Sequence, residues 1–105
     1  MKRGKVLYLA WVDVEPKIED AWNKWMNEVH VPEVLKEGRF DNARRFVIEE
    51  GEAPGKYVNM YEAKDLNTYK AYFYGPNVGI RTRYAALYGE TTKVKRTILR
   101  ELSCE

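Results

Sequence analysis

Three observations in this 105-residue chain predict an α+β fold of element order β-α-β-β-α-β. Both ends, residues 5–14 and 91–102, have the β-branched, extended composition of strands. Residues 18–35 carry apolar side chains at steps of three and four, the spacing of a helix with one buried face. Between them, the turn EEGEAPGK joins two short extended stretches and is followed by a helical region that Gly75-Pro76 interrupts. That order is the split-βαβ, or ferredoxin-like, arrangement: a four-stranded antiparallel sheet with its helices on one face.

In the first strand, residues 5–14, Val6, Tyr8, Ala10 and Val12 share one face and Leu7, Leu9 and Trp11 the other, so both faces require cover. In the first helix Ile18, Ala21, Trp22, Trp25, Met26 and Val29 form the apolar stripe, with Glu19, Asp20, Asn23, Lys24 and Asn27 opposite. Pro16 suits a first-turn position, and Glu15, Glu19 and Asp20 place negative charge at the positive end of the helix dipole. Pro32 disfavours helical backbone at Val31, so the main helix is expected to stop or kink just after His30. Residues 32–36 then form a short Pro-started turn of helix that Gly38 closes in a left-handed cap.

The second strand, residues 40–49, places Ala43, Arg45 and Val47 on one face and Phe40, Arg44, Phe46 and Ile48 on the other. Residues 57–62 resume the extended pattern after the turn. Asp65 or Asn67 can cap a helix with Leu66, Tyr69, Tyr72 and Phe73 along one side. Asn77 starts the next piece, residues 78–88, where Ile80, Tyr84, Leu87 and Tyr88 recur at helical spacing before Gly89. In residues 91–102, Val94, Ile98 and Leu102 are in phase.

Length and 45% hydrophobic content fit one domain over residues 1–105. There is no apolar run of roughly 18 residues and no small-residue cleavage site near the N-terminus, so no membrane span and a cytoplasmic location are expected. Cys104, the single cysteine, cannot form an intrachain disulfide. Eighteen basic and 16 acidic residues, interleaved to a net charge of +2, argue against nucleic acid as a partner. Arg81, Arg83, Lys93, Lys95 and Arg96 make the last third basic, at a spacing that suits a solvated helix face and a strand edge. No phosphate loop, dinucleotide fingerprint or metal-ligand cluster is present, so neither cofactor nor metal is expected. The apolar outer face of the first strand points to a homodimer joined through the sheet face, because twofold pairing of identical patches closes on itself.

Trp22, Trp25 and the run Val29-His30-Val31-Pro32-Glu33-Val34-Leu35, then Gly38, Phe40, Ala43-Arg44-Arg45-Phe46 and the strand ending Tyr61-Glu62, together resemble the EthD-like branch of the dimeric α+β barrel superfamily. The resemblance covers roughly the whole chain and implies the same fold as the element order. It also implies a range of roles: cofactor-free isomerases, lactone-forming or dehydrating enzymes, monooxygenases, and members of unknown role. In several such enzymes a histidine ending the first helix faces a pocket between helices and sheet and acts as a general acid or base, and His30 matches that position. The chain lacks a second histidine, which disagrees with a His-pair mechanism or a histidine-rich haem or metal site.

On chemical grounds His30 is the one side chain with an ordinary pKa near neutrality, so it can exchange a proton with little tuning; the alternative is a histidine that only caps helix carbonyls. Arg44 and Arg45 point to opposite faces, so one can reach inward to hold an enolate or carboxylate oxygen, or form an ion pair with Glu62 or another acid. Tyr8, Trp11, Trp22, Trp25, Tyr57 and Tyr61 can wall a pocket for a flat apolar ligand, with core packing as the other use of the tryptophans; Asn59 is a candidate polar contact. Two functions follow. One is a cofactor-independent enzyme of isomerase, lyase or dehydratase type, with His30 moving a proton on a small aromatic, polyketide-like or lactone substrate and Arg44 or Arg45 stabilising an oxyanion. The other is a dimeric binding or accessory protein for a small hydrophobic metabolite.

Overall fold

The computed structural model describes residues 4–75 and 78–102. The expectations at Pro76, Asn77 and Cys104 concern residues outside that set. Four strands, β1 (Val6–Val14), β2 (Asn42–Val47), β3 (Tyr57–Ala63) and β4 (Thr92–Arg100), form one antiparallel sheet in the order β2-β3-β1-β4. The first helical region is continuous: a 3-10 turn (Pro16–Ile18), α1 (Glu19–Trp25), a π turn (Met26–His30) and α2 (Val31–Lys36). The second comprises α3 (Leu66–Phe73) and α4 (Val78–Tyr88). The predicted β-α-β-β-α-β order and the ferredoxin-like strand arrangement are both present.

Register fixes the two faces of the sheet. Tyr8 lies opposite Tyr61 and Ile98, Ala10 opposite Asn59 and Arg96, and Val12 opposite Tyr57 and Val94, all on the face that the helices cover. Val6, Tyr8, Ala10 and Val12 are buried there. Leu7, Leu9 and Trp11 stand on the other face and are only half-buried, beside Val58, Met60 and Leu99. One core cluster joins Val6, Tyr8 and Tyr61 to Val34, Phe40, Tyr69, Tyr72 and Ile80; a second joins Val12 to Trp22 and Met26.

The first helix departs from expectation at Pro32. It neither stops nor breaks after His30: Val31 keeps helical backbone (φ −61°, ψ −45°), and the irregularity is the π turn just before it. The Val31 amide reaches back to the Met26 carbonyl, an i→i+5 bond. The extra residue in that turn accommodates the missing Pro32 amide and shifts the carbonyl that the ring would otherwise meet. It also rotates the stripe. Val29 is turned outward, 38% exposed, and the wider turn brings His30 and Val31 to the inner side instead.

Other boundaries move for local reasons. Phe40 precedes β2 and is buried in the helix-side core, so it does not share the outer face of Arg44 and Phe46. The hairpin pairing continues past β2 through the Ile48 amide to the Lys56 carbonyl. Asp65, not Asn67, caps α3, accepting hydrogen bonds from the Thr68 amide (2.8 Å) and hydroxyl (2.7 Å). Leu66, Leu87 and Leu102 are exposed although their spacing matched the apolar sides.

Candidate functional site

A cavity of about 290 Å3 opens between the helices and the inner face of the sheet. The sheet supplies Tyr8, Ala10, Val12, Asn59, Tyr61, Val94 and Arg96 to its wall; the helices supply Met26, His30, Tyr72, Phe73, Arg81 and Tyr84. Its volume is close to the lower end for small-molecule sites.

His30 reaches the cavity because the π turn rotates it inward. Its ring stacks on Trp25 (centroids 5.2 Å apart) and meets Tyr84 at a tilt (5.3 Å). Its Nδ1 is buried without a hydrogen-bond partner among the described residues. Burial among these rings pushes its pKa down to about 4; the Glu33 carboxylate opposes that shift, and Arg45 and Arg83 add to it. His30 is therefore neutral at pH 7.

Tyr84 is held by a relay that joins three elements. Trp22 Nε1 donates to its hydroxyl (3.1 Å), which shares a 2.9 Å hydrogen bond with Thr92 Oγ1; that hydroxyl in turn donates to the Tyr88 carbonyl (2.7 Å). Since the Thr92 proton serves Tyr88, Tyr84 is the donor to Thr92. The hydroxyls of Tyr8, Tyr61 and Tyr72 have no such ties among the described residues and remain available to a ligand. Burial raises all three phenol pKa values, that of Tyr72 to about 12, so they stay protonated donors at pH 7.

Asn59 is almost completely buried, and its orientation is determined by chemistry. Arg45 Nε donates to its Oδ1 at 2.8 Å, and a guanidinium can only donate, so the amide oxygen must face Arg45. The Nδ2 group is then left without a protein partner among the described residues, and Asn59 is one of the residues that line the cavity. Arg45 is fixed in turn: Nη2 donates to Asn23 Oδ1 (2.7 Å), Nη1 to Asn27 Oδ1 (2.7 Å) and to the Asn23 carbonyl (3.3 Å), and the guanidinium lies 5.0 Å from the Trp22 ring centroid. Asn23 and Asn27 are thus more than the solvated back of the helix.

His30, Tyr8, Asn59 and Tyr61 come together on the cavity wall. Trp22 is fully buried behind it, Trp25 backs His30, and Tyr57 donates to Glu19 and accepts from Asn23 (3.1 Å), so these three support the wall without lining it. Arg44 is exposed on the outer sheet face near Phe46, and neither it nor Arg45 lines the cavity. The guanidiniums that do are Arg81 and Arg96, which spacing alone assigned to a solvated face and a strand edge. The alternation Val94-x-Arg96-x-Ile98 was the available signal, because it sets Arg96 on an apolar, inward face. Among the described residues no cluster of three or more His, Cys, Asp or Glu side chains is placed to hold a metal, and no helix is long and apolar enough to cross a membrane.

A family model described as a domain of unknown function, DUF4286, matches residues 5–102. No curated protein matches the chain. Among solved structures, HapK from Hahella chejuensis is similar with a TM-score of 0.72 at 12% identity, over 95% of this chain and 95% of that one. A protein of the ethyl tert-butyl ether D (EthD) family from Bacillus halodurans gives 0.70 at 14% identity, over 93% of this chain and 99% of its own. A dimeric ferredoxin-like protein from an uncultured marine organism gives 0.58 at 16%, over 99% and 100%. At such identities the likeness is one of fold, and it agrees with the EthD-like, ferredoxin-like resemblance drawn from the residues.

Proposed function

The chain belongs to the DUF4286 family, and from the cavity its fold builds we propose that it is a cofactor-independent enzyme that moves a proton on a small aromatic, polyketide-like or lactone substrate. The observation that carries this reading is His30, a neutral imidazole on an aromatic cavity wall that makes no hydrogen bond among the described residues. A substrate carbonyl that accepts from Asn59 Nδ2 has an acidic C–H beside it. His30 takes that proton, the electron pair moves onto the oxygen, and the resulting enolate is held by the Asn59 amide and a tyrosine hydroxyl. Return of the proton to another carbon completes an isomerisation without any further reactant. A pKa near 4 makes free His30 a weak base, but the negative charge forming beside it favours the imidazolium and restores its basicity. Arg45 acts as a positioning residue here, since its bond to Oδ1 is what turns the Asn59 donor toward the cavity.

NMR titration of His30, the only imidazole in the chain, against a panel of small aromatic acids and lactones tests this directly. The free value is expected near 4, rising when a ligand binds, and carbon-bound hydrogen of that ligand should exchange with D2O in the wild type and not in His30→Ala. Binding without exchange would leave the binding protein for a hydrophobic metabolite as the function; a His30 indifferent to every ligand would remove both.

We also infer that a second copy covers the outer sheet face. Supporting this are the half-buried Leu7, Leu9 and Trp11, the exposed Leu99 opposite Leu7, the exposed Phe46 across β3 from Trp11, and the dimeric description of one fold neighbour.

A further inference from the structure

We propose that Arg81 and Arg96 form a carboxylate-binding subsite on the open side of the cavity, so that the ligand is a flat aromatic or conjugated acid. This rests on the reading that the cavity takes a small ligand, and it names the class.

Phe73 projects from the end of α3, and two guanidiniums lie close to its ring: that of Arg81, from α4, with its central carbon 4.0 Å from the centroid, and that of Arg96, from β4, at 3.5 Å. All three side chains line the cavity, and among the described residues no carboxylate does. Four acids are paired with other cations: Glu33 with Arg83, Glu19 with Lys56 (2.7 Å), and Glu62 and Asp41 with Lys5; the Glu37 carboxylate acts on Tyr72 but is not a lining residue. Among the described residues Arg81 has no hydrogen-bond acceptor and no ion pair, and Arg96 has only the Tyr69 hydroxyl, 2.6 Å from Nη1. Two like charges beside one ring repel, and stacking alone would need only one of them. Arg45, which does not line the cavity, has its donors taken by asparagines.

An anion shared by the pair would relieve that repulsion and take up the idle donors. Planar forks match the two oxygens of a carboxylate, and the pair stands where Arg96 is exposed, so the acid can keep part of its hydration. The body of the ligand would then lie inward among Tyr8, Tyr61, Tyr72 and Tyr84. A cavity of about 150 Å3 accepts a single benzene ring, so one of about 290 Å3 has room for two fused rings.

The test is a matched pair of probes, 2-naphthoate and 2-naphthamide, titrated into 15N-labelled protein at low and high salt. The acid is expected to bind at least about tenfold more tightly than the amide, with salt weakening only the acid. Arg81→Gln and Arg96→Gln should each bring the acid toward the affinity of the amide and leave the amide unchanged; Arg81→Lys, which keeps the charge and loses the fork, should fall between. Variants are scored only when their spectra keep native dispersion, and Arg81→Lys serves should Arg81→Gln fail to fold. Equal binding of acid and amide, or discrimination that survives both glutamine variants, overturns the carboxylate subsite while leaving the cavity a ligand site. Binding of neither probe overturns the subsite and the ligand-site reading together.

Discussion

His30 shows how burial of a single residue sets its proton affinity and, through it, stability. Its folded pKa, about 4, lies below the ordinary 6.5, so between these values the unfolded chain binds a proton that the folded one does not. The stabilisation tied to neutral His30 is therefore complete above about pH 6.5, falls as the pH drops toward 4, and changes little below that. The fall from 6.5 to about 4 sets an upper bound of about 3.4 kcal/mol, which partial exposure of the ring reduces. Urea unfolding at pH 7 and pH 4.5 checks this: wild type should lose more stability between the two than His30→Gln. The carboxylates of Glu19 and Glu62, held low by Lys56 and Lys5, are common to both proteins and cancel in the comparison. Equal losses would mean that the imidazole is not desolvated. That His30 stood at a helical junction was legible, because it is the only imidazole and Pro32 follows closely. Its depressed pKa was not, because that depends on Trp25 and Tyr84, the latter 54 positions away on another helix, packing against the ring. Arg44 and Arg45 illustrate the same limit. Alternation put them on opposite faces, but only the three asparagines around Arg45 decide which one is inside and that its donors are taken.

At the scale of elements, strong periodicity and glycine punctuation were legible, whereas departures that depend on tertiary packing were not. The order of strands and helices followed from the two apolar ends, the helix after Pro16 and the hairpin glycines. The π turn left no signature beyond Pro32, since a helical stripe drawn at regular spacing includes Val29, and the true inward set passes from Met26 to His30. Two glycines allow a comparison of backbone causes. Gly38 ends the first helical region with φ +77°, and an added Cβ there would meet nothing within 4 Å, so Gly38→Ala should cost only the left-handed strain, about 1 kcal/mol. Gly55 has ordinary φ but a Cβ there would sit 2.8 Å from the Val12 nitrogen and 2.9 Å from its carbonyl carbon. Gly55→Ala must push the hairpin off β1 and strain the bond from the Lys56 amide to Asp13 (3.0 Å), at about 2–3 kcal/mol. Denaturant midpoints of the two variants should therefore rank Gly38→Ala above Gly55→Ala; the reverse order would mean that the approach of Gly55 to Val12 is looser than the structure has it.

For the whole molecule, the sheet is the element that the cavity and the proposed interface share. Its inner face forms one wall of the cavity, and the same strand β1 presents Leu7, Leu9 and Trp11 outward, flanked by Val58, Met60 and Leu99. Apolar residues on both sides of a strand were visible in the sequence because a sheet with one solvated face ordinarily alternates apolar with polar, and β1 does not. Sheet-to-sheet pairing of two copies would bury that face and brace β1 from behind, so ligand binding on the inside and assembly on the outside would be coupled through one strand. Leu9 lies opposite Met60 and Thr97, at the middle of β1, and its side chain does not enter the cavity. Leu9→Lys should therefore leave the inner face intact, yet place a charge in the centre of the interface, where an unpaired cation is strongly disfavoured. Sedimentation velocity is expected to show a dimer for the wild type and a monomer for Leu9→Lys. The melting temperature of the wild type should rise with protein concentration, and that of the variant should not, because only an associating protein gains stability by mass action. A wild type that sediments as a monomer at every concentration would show that the outer face stays uncovered, and a variant that remains dimeric would move the interface off the centre of the sheet.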